Sequence, residues 1–350
     1  MAKRHLKKKF RNILYFLIFA ALSIFAMQTF DLWDKVAKYF EERIPVGIKN
    51  LYFEKPKLSI IDETSNSRTI AVSINNNHDT YPHAGLQDAF LCYELIAEGG
   101  ISRILAMYKD QTTKKIGSVR STRHYFLDYV LENDAIFVHY GQSPQALEDL
   151  KTLKINNING MVNSSAFFRD TSLNRAYEHT AFTKMSKIKS SIKSNKYRNT
   201  SDVLLLKYSP IKVNYEEDSS YKMANEVKLK YSDYHTTSYK YDEENNNYLL
   251  YMNGSKHKDM VTDKQYTVKN IITYKVKNET IGTKGRQGLD NIGSGTGYYI
   301  SNGNYIKIKW SKASRKEKTI YTTLTGEELV VNDGNTWIHI VPTSGKININ

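Results

Sequence analysis

The chain has 350 residues, 50 Lys and Arg against 36 Asp and Glu, and one cysteine, Cys92. That length leaves room for two domains with real cores. The single cysteine excludes an intramolecular disulfide framework and a CxxC zinc site, and 40% hydrophobic residues with 26 Tyr and 13 Phe exclude a disordered chain. The formal charge is +14, and six basic residues without an acid in residues 1–12 leave +8 for the rest, which suits a partner carrying phosphates or carboxylates.

Residues 13–30 read ILYFLIFAALSIFAMQTF, an uncharged run long enough to cross about 30 Å of hydrocarbon as a helix. Lys3, Arg4, Lys7, Lys8, Lys9 and Arg11 precede it, and Asp31 and Asp34 follow. The positive-inside rule then keeps the amino terminus in the cytoplasm and exports the rest. A cleaved signal peptide has the same charged start. This run exceeds the usual signal core and no A-x-A site follows it, so an uncleaved single-pass anchor is expected. Residues 31–57 read as a stalk, broken by Pro45, Gly47 and Pro56.

In the next stretch, TIAVSI (69–74) is a short β-branched run that predicts a buried strand. Apolar runs on either side of Gly99-Gly100 suggest a β-hairpin, while a helix over 88–97 ended by Gly99 is the rival reading. Ser121 is placed to cap a helix running to about Glu132, AIFVHY (135–140) reads as a strand, and Pro144 opens a helix through about Lys151. A polar, basic segment, SKIKSSIKSNKYRNT (186–200), precedes a change to Tyr, Thr, Val, Asn and turn pairs. Three hairpins are then predicted, at the turn 243–247, at Asn302-Gly303 and at Asp333-Gly334. Alternating Tyr and Lys around 298–310, including Tyr298, Tyr305, Lys307 and Lys309, fits a two-faced sheet with Lys outward. The expected fold class is α+β. A basic tail (1–12) and a transmembrane helix (13–30) lead through the stalk to a mixed α/β domain (58–200) and an antiparallel β-rich domain (201–350).

GLQDAFLCYELIAEGGISRILAMY (85–108) followed by KIGSVRSTRHYFLDY (115–129) resembles the YerB-like (DUF3048) family of bacterial envelope proteins. Further matches are AVSINN (71–76), FVHYGQSPQAL (137–147), the NINGM turn, FFRD and EHTAFT within 167–183, GSGTGYYISNGNYIKIKW (293–310) and GNTWIHIVP (334–342). The resemblance covers about residues 60–350 and implies a surface location and a two-part fold. It implies no activity. Family members look like lipoproteins, whereas this chain has no cysteine near its amino terminus and offers the apolar helix instead.

Arg103, Arg120 and Arg123 form the sharpest chemical cluster, since forked guanidinium donors beside a helix start make a site for phosphate or carboxylate. The structural alternative pairs them with Glu94, Glu98 or Asp128. Glu94 and Glu98 are expected to share a face. On a strand they stand too far apart for a paired-carboxylate glycosidase, which needs about 5 to 9.5 Å. His139 ends a strand before Gly141-Gln142-Ser143-Pro144, and His179 follows Arg169 and Arg175, so acid–base use is conceivable. Gly141-Gln142-Ser143-Pro144-Gln145 fails the G-x-S-x-G pattern. The candidates are therefore Glu94, Glu98 and His139 for catalysis and Arg103, Arg120, Arg123, Ser143, Arg169 and His179 for ligand binding. His78 and His83 lack further ligands in a metal-binding spacing, so no metal or cofactor is expected. The leading expectation is a membrane-anchored envelope protein of a Gram-positive bacterium. It would bind peptidoglycan, teichoic acid or a wall-synthesis protein, not nucleic acid. A peptidoglycan hydrolase or transferase is the alternative, and the sequence does not decide between them.

Overall fold

The computed structural model describes residues 56–282 and 284–350. The basic tail, the apolar run and nearly all of the stalk (residues 1–55) lie outside these. Among the described residues no helix is long and apolar enough to cross a membrane.

The β-branched run near residue 70 forms β1 (Ile70–Asn76), and all seven of its residues are buried. β2 (Leu91–Ile96) and β3 (Ser102–Tyr108) pair antiparallel across Gly99-Gly100, whose φ angles are +68° and +74°. The hairpin therefore holds and the rival helix does not form. Every residue of β2 is buried, whereas a surface helix would have kept one face in water. β4 (Ile136–His139) runs parallel to β1, and β5 (Asn157–Asn159) parallel to β4.

Helix α1 (Leu127–Glu132) follows a single 3-10 turn at His124–Phe126, so Ser121 does not cap it. Ser121 lies in extended chain, where its hydroxyl donates to the Tyr140 carbonyl and the adjoining Thr122 bridges to Gln142. These contacts hold residues 120–123 straight along the exit of β4. Helix α2 (Pro144–Thr152) starts where proline predicts, with Ser143 Oγ accepting the Ala146 N–H at 3.2 Å. The basic segment that follows contains α3 (Met185–Ser194), which buries Ile188 and Ile192 four residues apart on one face.

In the second half, β6 (Glu226–Lys230), β7 (Thr236–Asp242) and β8 (Asn247–Met252) form an antiparallel meander. β9 (Asn270–Val276) is followed by β10 (Gly293–Ser301) and β11 (Asn304–Lys312). The last two turn at Asn302-Gly303, both with positive φ, as the sequence predicts. β11 alternates as expected, with Ile306, Ile308 and Trp310 buried and Lys307 and Lys309 exposed. The third hairpin is a correction. β12 (Thr336–Pro342) does not fold back at Asp333-Gly334 but lies between β9 and β2, parallel to both, and Val330–Asn332 pairs instead with Lys207–Ser209. The reason is burial, since all seven residues of β12 are enclosed and an inner strand needs a partner on each side. β13 (Lys346–Ile349) closes the meander against β6.

The resulting architecture is mixed α/β and rich in sheet, with few helices. The main sheet has eleven strands. Its path runs from Lys222–Met223 through β11, β10, β9, β12, β2, β3, β1 and β4 to β5, with Ile320–Thr323 beside β11. Strands from both sides of residue 200 thus share one sheet. On one face, Cys92, Ile104 and Trp337 pack with Val227, Tyr239 and Leu250 of the meander. On the other, Tyr93, Leu105 and Ile338 pack with Tyr125, Phe126, Tyr129 and Leu150 around α1 and α2.

Candidate functional site

β1, β4 and β5 are parallel, and their carboxyl ends, Asn76, His139 and Asn159, finish at the same edge of the sheet. Crevices at such strand ends are where open α/β sheets bind ligands. Residues 118–123 cross this edge. The Arg120 N–H donates to the Ser73 carbonyl, the Tyr140 N–H to the Arg120 carbonyl and the Thr122 N–H to the Gly141 carbonyl. Gly141 has φ +82°, and a Cβ there would meet Ser121 Oγ at 3.0 Å, so glycine is what lets the two segments touch.

Four guanidinium groups collect on this edge. Arg103, on β3 opposite Asn75 of β1, is almost wholly buried and donates through Nη1 to the Ser121 carbonyl at 2.5 Å. Among the described residues its Nε has no hydrogen-bond partner, nor do the buried hydroxyls of Ser73 and Ser118. Arg123 grips Glu98 through Nε and through Nη2 at 2.9 Å, and Arg103 Nη2 stands 3.7 Å from the same carboxylate. Arg120 reaches the Glu178 carbonyl at 3.4 Å, with the carboxylate at 4.0 Å. Arg169 lies between two rings, 3.9 Å from the centre of Tyr177 and 4.8 Å from that of Tyr140, and donates to the Tyr177 carbonyl at 2.5 Å.

Burial lowers the pKa of Arg103 and Arg120, and the charge of Arg123 adds to the effect on both. Burial alone would raise the Glu98 carboxyl. The Arg123 hydrogen bond and the Arg103 and Arg123 charges override it and hold the carboxyl below the ordinary range. Two carboxylates therefore face four guanidinium groups, and the edge carries surplus positive charge with directed donors.

The other candidates do not converge here in the way the sequence suggests. Glu94 is fully buried on the opposite face of the sheet, because Arg103 alternates with Ile104, the residue paired with Glu94. Glu94 and Glu98 do not share a face as expected. β2 ends at Ile96, and Glu98 sits in the following turn, from which its carboxylate turns to the arginines. The Glu94 carboxylate accepts from His235 Nε2 at 2.6 Å, Ser102 Oγ at 2.6 Å and Thr237 Oγ1 at 2.8 Å. His339 Nδ1 is 3.3 Å away, and the His339 ring is held by the hydroxyls of Tyr231 at 2.9 Å and Tyr239 at 2.7 Å. Burial would raise Glu94, but the bonds from His235 and His339 outweigh it and hold the carboxyl well below the usual range. This group is a packed polar node between two sheets, without access for a substrate.

His139 is fully buried, its ring nitrogens 2.9 Å from the Gly141 carbonyl and 3.2 Å from Asn157 Oδ1, so neither nitrogen faces solvent. His179 is buried beside Asn75, Nδ1 to Nδ2 at 2.9 Å. The Ser143 oxygen is used by the α2 cap. Of the expected residues, Arg103, Arg120, Arg123, Arg169 and Glu98 come together. Tyr140 and Tyr177, which position Arg169, and His235 and His339, which hold Glu94, escaped the sequence reading. A histidine inside the otherwise apolar run TWIHIVP was the available signal for a buried polar partner. Among the described residues no three His, Cys, Asp or Glu side chains are grouped to hold a metal ion.

Residues 58–198 match the amino-terminal domain, and residues 227–338 the carboxy-terminal domain, of the proteins of unknown function DUF3048. A relative from Bacillus subtilis (strain 168), YerB, by name a lipoprotein, is 28% identical over 308 residues, covering 86% of this chain and 89% of its own. The crystal structure of the YerB protein from Bacillus subtilis superposes with a TM-score of 0.72 at 27% identity, covering 84% of this chain and 99% of that one.

Proposed function

The chain belongs to the YerB-like DUF3048 family, and from that premise we propose that it is a non-enzymatic protein of the bacterial envelope that binds an anionic wall polymer at the arginine edge. The observation that carries this reading is the four-to-two excess of guanidinium over carboxylate at the ends of parallel strands. Such donors suit the phosphates of teichoic acid or the carboxylates of peptidoglycan peptides. Tyr177, 69% exposed, adds an aromatic face for a sugar ring beside the charge. In this reading residues 13–30 tether the protein by one helix with the bulk outside, which protease digestion of intact against lysed cells checks.

A hydrolase reading has less to stand on, because Glu94 is enclosed and Glu98 is bound by two arginines. The test is retention of the full chain on purified wall sacculi with and without teichoic acid as salt is raised. Retention at low salt should fall steeply with ionic strength, and Arg120→Ala with Arg169→Ala should weaken it by about tenfold. No retention at low salt would remove the polymer as ligand. Retention that ignores both salt and the arginine changes would point to a protein partner.

A further inference from the structure

β13 is the outer strand of the meander sheet. It pairs with β6, and among the described residues no strand lies on its other side. Glu226 and Asn350 exchange two main-chain hydrogen bonds, at 3.0 and 2.9 Å. Antiparallel pairing alternates, so Lys228–Asn348 and Lys230–Lys346 are the next bonded pairs in this register. The main-chain N–H and C=O groups of Ile347 and Ile349 therefore point away from β6, and nothing among the described residues takes them.

This free edge opens on a groove of about 490 Å³, walled by residues 347–350 and by Tyr298 and Tyr305 of the main sheet. The two tyrosine rings meet edge to face, 5.6 Å apart at 78°. Tyr298, Tyr305, Ile347 and Ile349 sit at the rim of the core beneath the meander and are only partly buried, so their side chains remain accessible. On the same face of the main sheet Thr296, Lys307 and Lys309 are exposed. Lys222 stands opposite Tyr305, and Lys307 opposite Tyr298, so cross-strand pairing sets both ammonium groups beside the rings. Neither lysine has an ion-pair partner among the described residues. No Asp or Glu side chain lines the groove, and Glu226, opposite Asn350, is held by Lys240 at 3.0 Å.

We propose that this edge binds an extended acidic segment of a partner protein, added to the meander sheet as a further strand. The main chain of the segment pairs with Ile347 and Ile349, which supplies affinity without regard to sequence. Alternate side chains rest on Tyr298 and Tyr305, and carboxylates meet Lys222 and Lys307, which supplies the choice of partner. A second copy of this chain is the poorer occupant, because it would bring Lys222, Lys307, Lys309 and Lys346 of one molecule against the same cations of the other. The site uses other strands than the arginine edge, so either proposal can fail alone.

The probe is a fluorescein-labelled octapeptide of alternating Glu and Val, titrated by fluorescence anisotropy against the full chain in phosphatidylcholine nanodiscs. Saturable binding is expected. The same peptide methylated at every backbone nitrogen keeps its side chains and charge but has no main-chain donor, and it should not compete. An octapeptide of alternating Lys and Val should not compete either. Ile349→Pro removes an N–H that the fold does not use, on an edge strand where proline is tolerated, and should weaken binding about tenfold with circular dichroism unchanged. Lys222→Glu with Lys307→Glu, both on the surface, should weaken it as much and keeps the test valid if the proline variant misfolds. Arg120→Ala with Arg169→Ala should leave binding unchanged. No saturable binding, equal competition by the methylated or the cationic peptide, undiminished binding in either folded variant, or loss in the arginine variant would each overturn the proposal. So would a dimer of the full chain that Ile349→Pro dissociates, which would give the edge to a second copy.

Discussion

Glu94 and His83 show how single residues acquire properties that their identity does not announce. His83 is fully buried, its Nε2 2.6 Å from the Asn75 carbonyl and its Nδ1 2.9 Å from His257 Nε2. Burial dominates and brings His83 down to about 3 from an ordinary 6.5, and His257 is lowered for the same reason. Below pH 6.5 the unfolded chain takes up these protons while the folded chain does not, so stability falls as pH falls, down to the folded pKa. Glu94, held low by its histidines, adds a loss in the same direction once pH drops below its unfolded value of about 4.3. The expected outcome is about 2 kcal/mol lost between pH 7 and pH 5 from His83 alone, read as a lower urea midpoint. His83→Asn should flatten that slope, and an unchanged midpoint across the interval would show that the histidine is not held neutral. His83 stands between Pro82 and Ala84 and His257 between Lys256 and Lys258, so nothing beside them in the chain marks them as buried. His257 lies 174 residues from His83, so their pairing could not be read locally.

At the scale of elements, α1 and β11 are joined by an ion pair inside the protein. Lys312 Nζ lies 2.7 Å from Glu132 Oε2, and both residues are 2% exposed. The Glu132 carboxylate also accepts from Thr319 N at 3.0 Å, Thr319 Oγ1 at 2.7 Å and the Tyr93 hydroxyl at 2.7 Å. Lys312→Met leaves this carboxylate buried without its cation and should cost about 3 kcal/mol in chemical unfolding. Adding Glu132→Gln should recover part of the loss, and a single variant as stable as wild type would mean the pair is not desolvated. Parity along the strand exposes Lys312 as unusual, because it shares the inward set with Ile306, Ile308 and Trp310. Its partner was not legible, since Glu132 ends a helix in the other half of the chain.

For the whole molecule, the governing fact is that β12 sits between β9 and β2. Cys92 is paired with Trp337 and Glu94 with His339, so the sheet is continuous across the two family-matched segments. Residues 58–350 are accordingly expected to unfold in one calorimetric transition. A fragment of residues 58–200 would expose the edge of β2 and the apolar face that the meander covers, and should associate in sedimentation analysis. Two resolved transitions, or a monomeric well-folded fragment, would contradict this.

The amino-acid sequence specified β1, the start of α2 and the turn between β10 and β11, and it offered the hairpin of β2 and β3 against a rival helix. Each is written in neighbouring residues, as β-branched runs, Gly-Gly, Ser-Pro and Asn-Gly. It also supplied the arginines as a group, because three of them lie within 21 residues of chain, at 103, 120 and 123. Tertiary structure alone decided that β12 crosses to β2 rather than folding back, that Glu94 and Glu98 part company on opposite faces, and that Ser121 is extended chain. Those outcomes depend on which distant strand covers an apolar face, and burial of that kind is a property of the assembled sheet, not of any window along the chain.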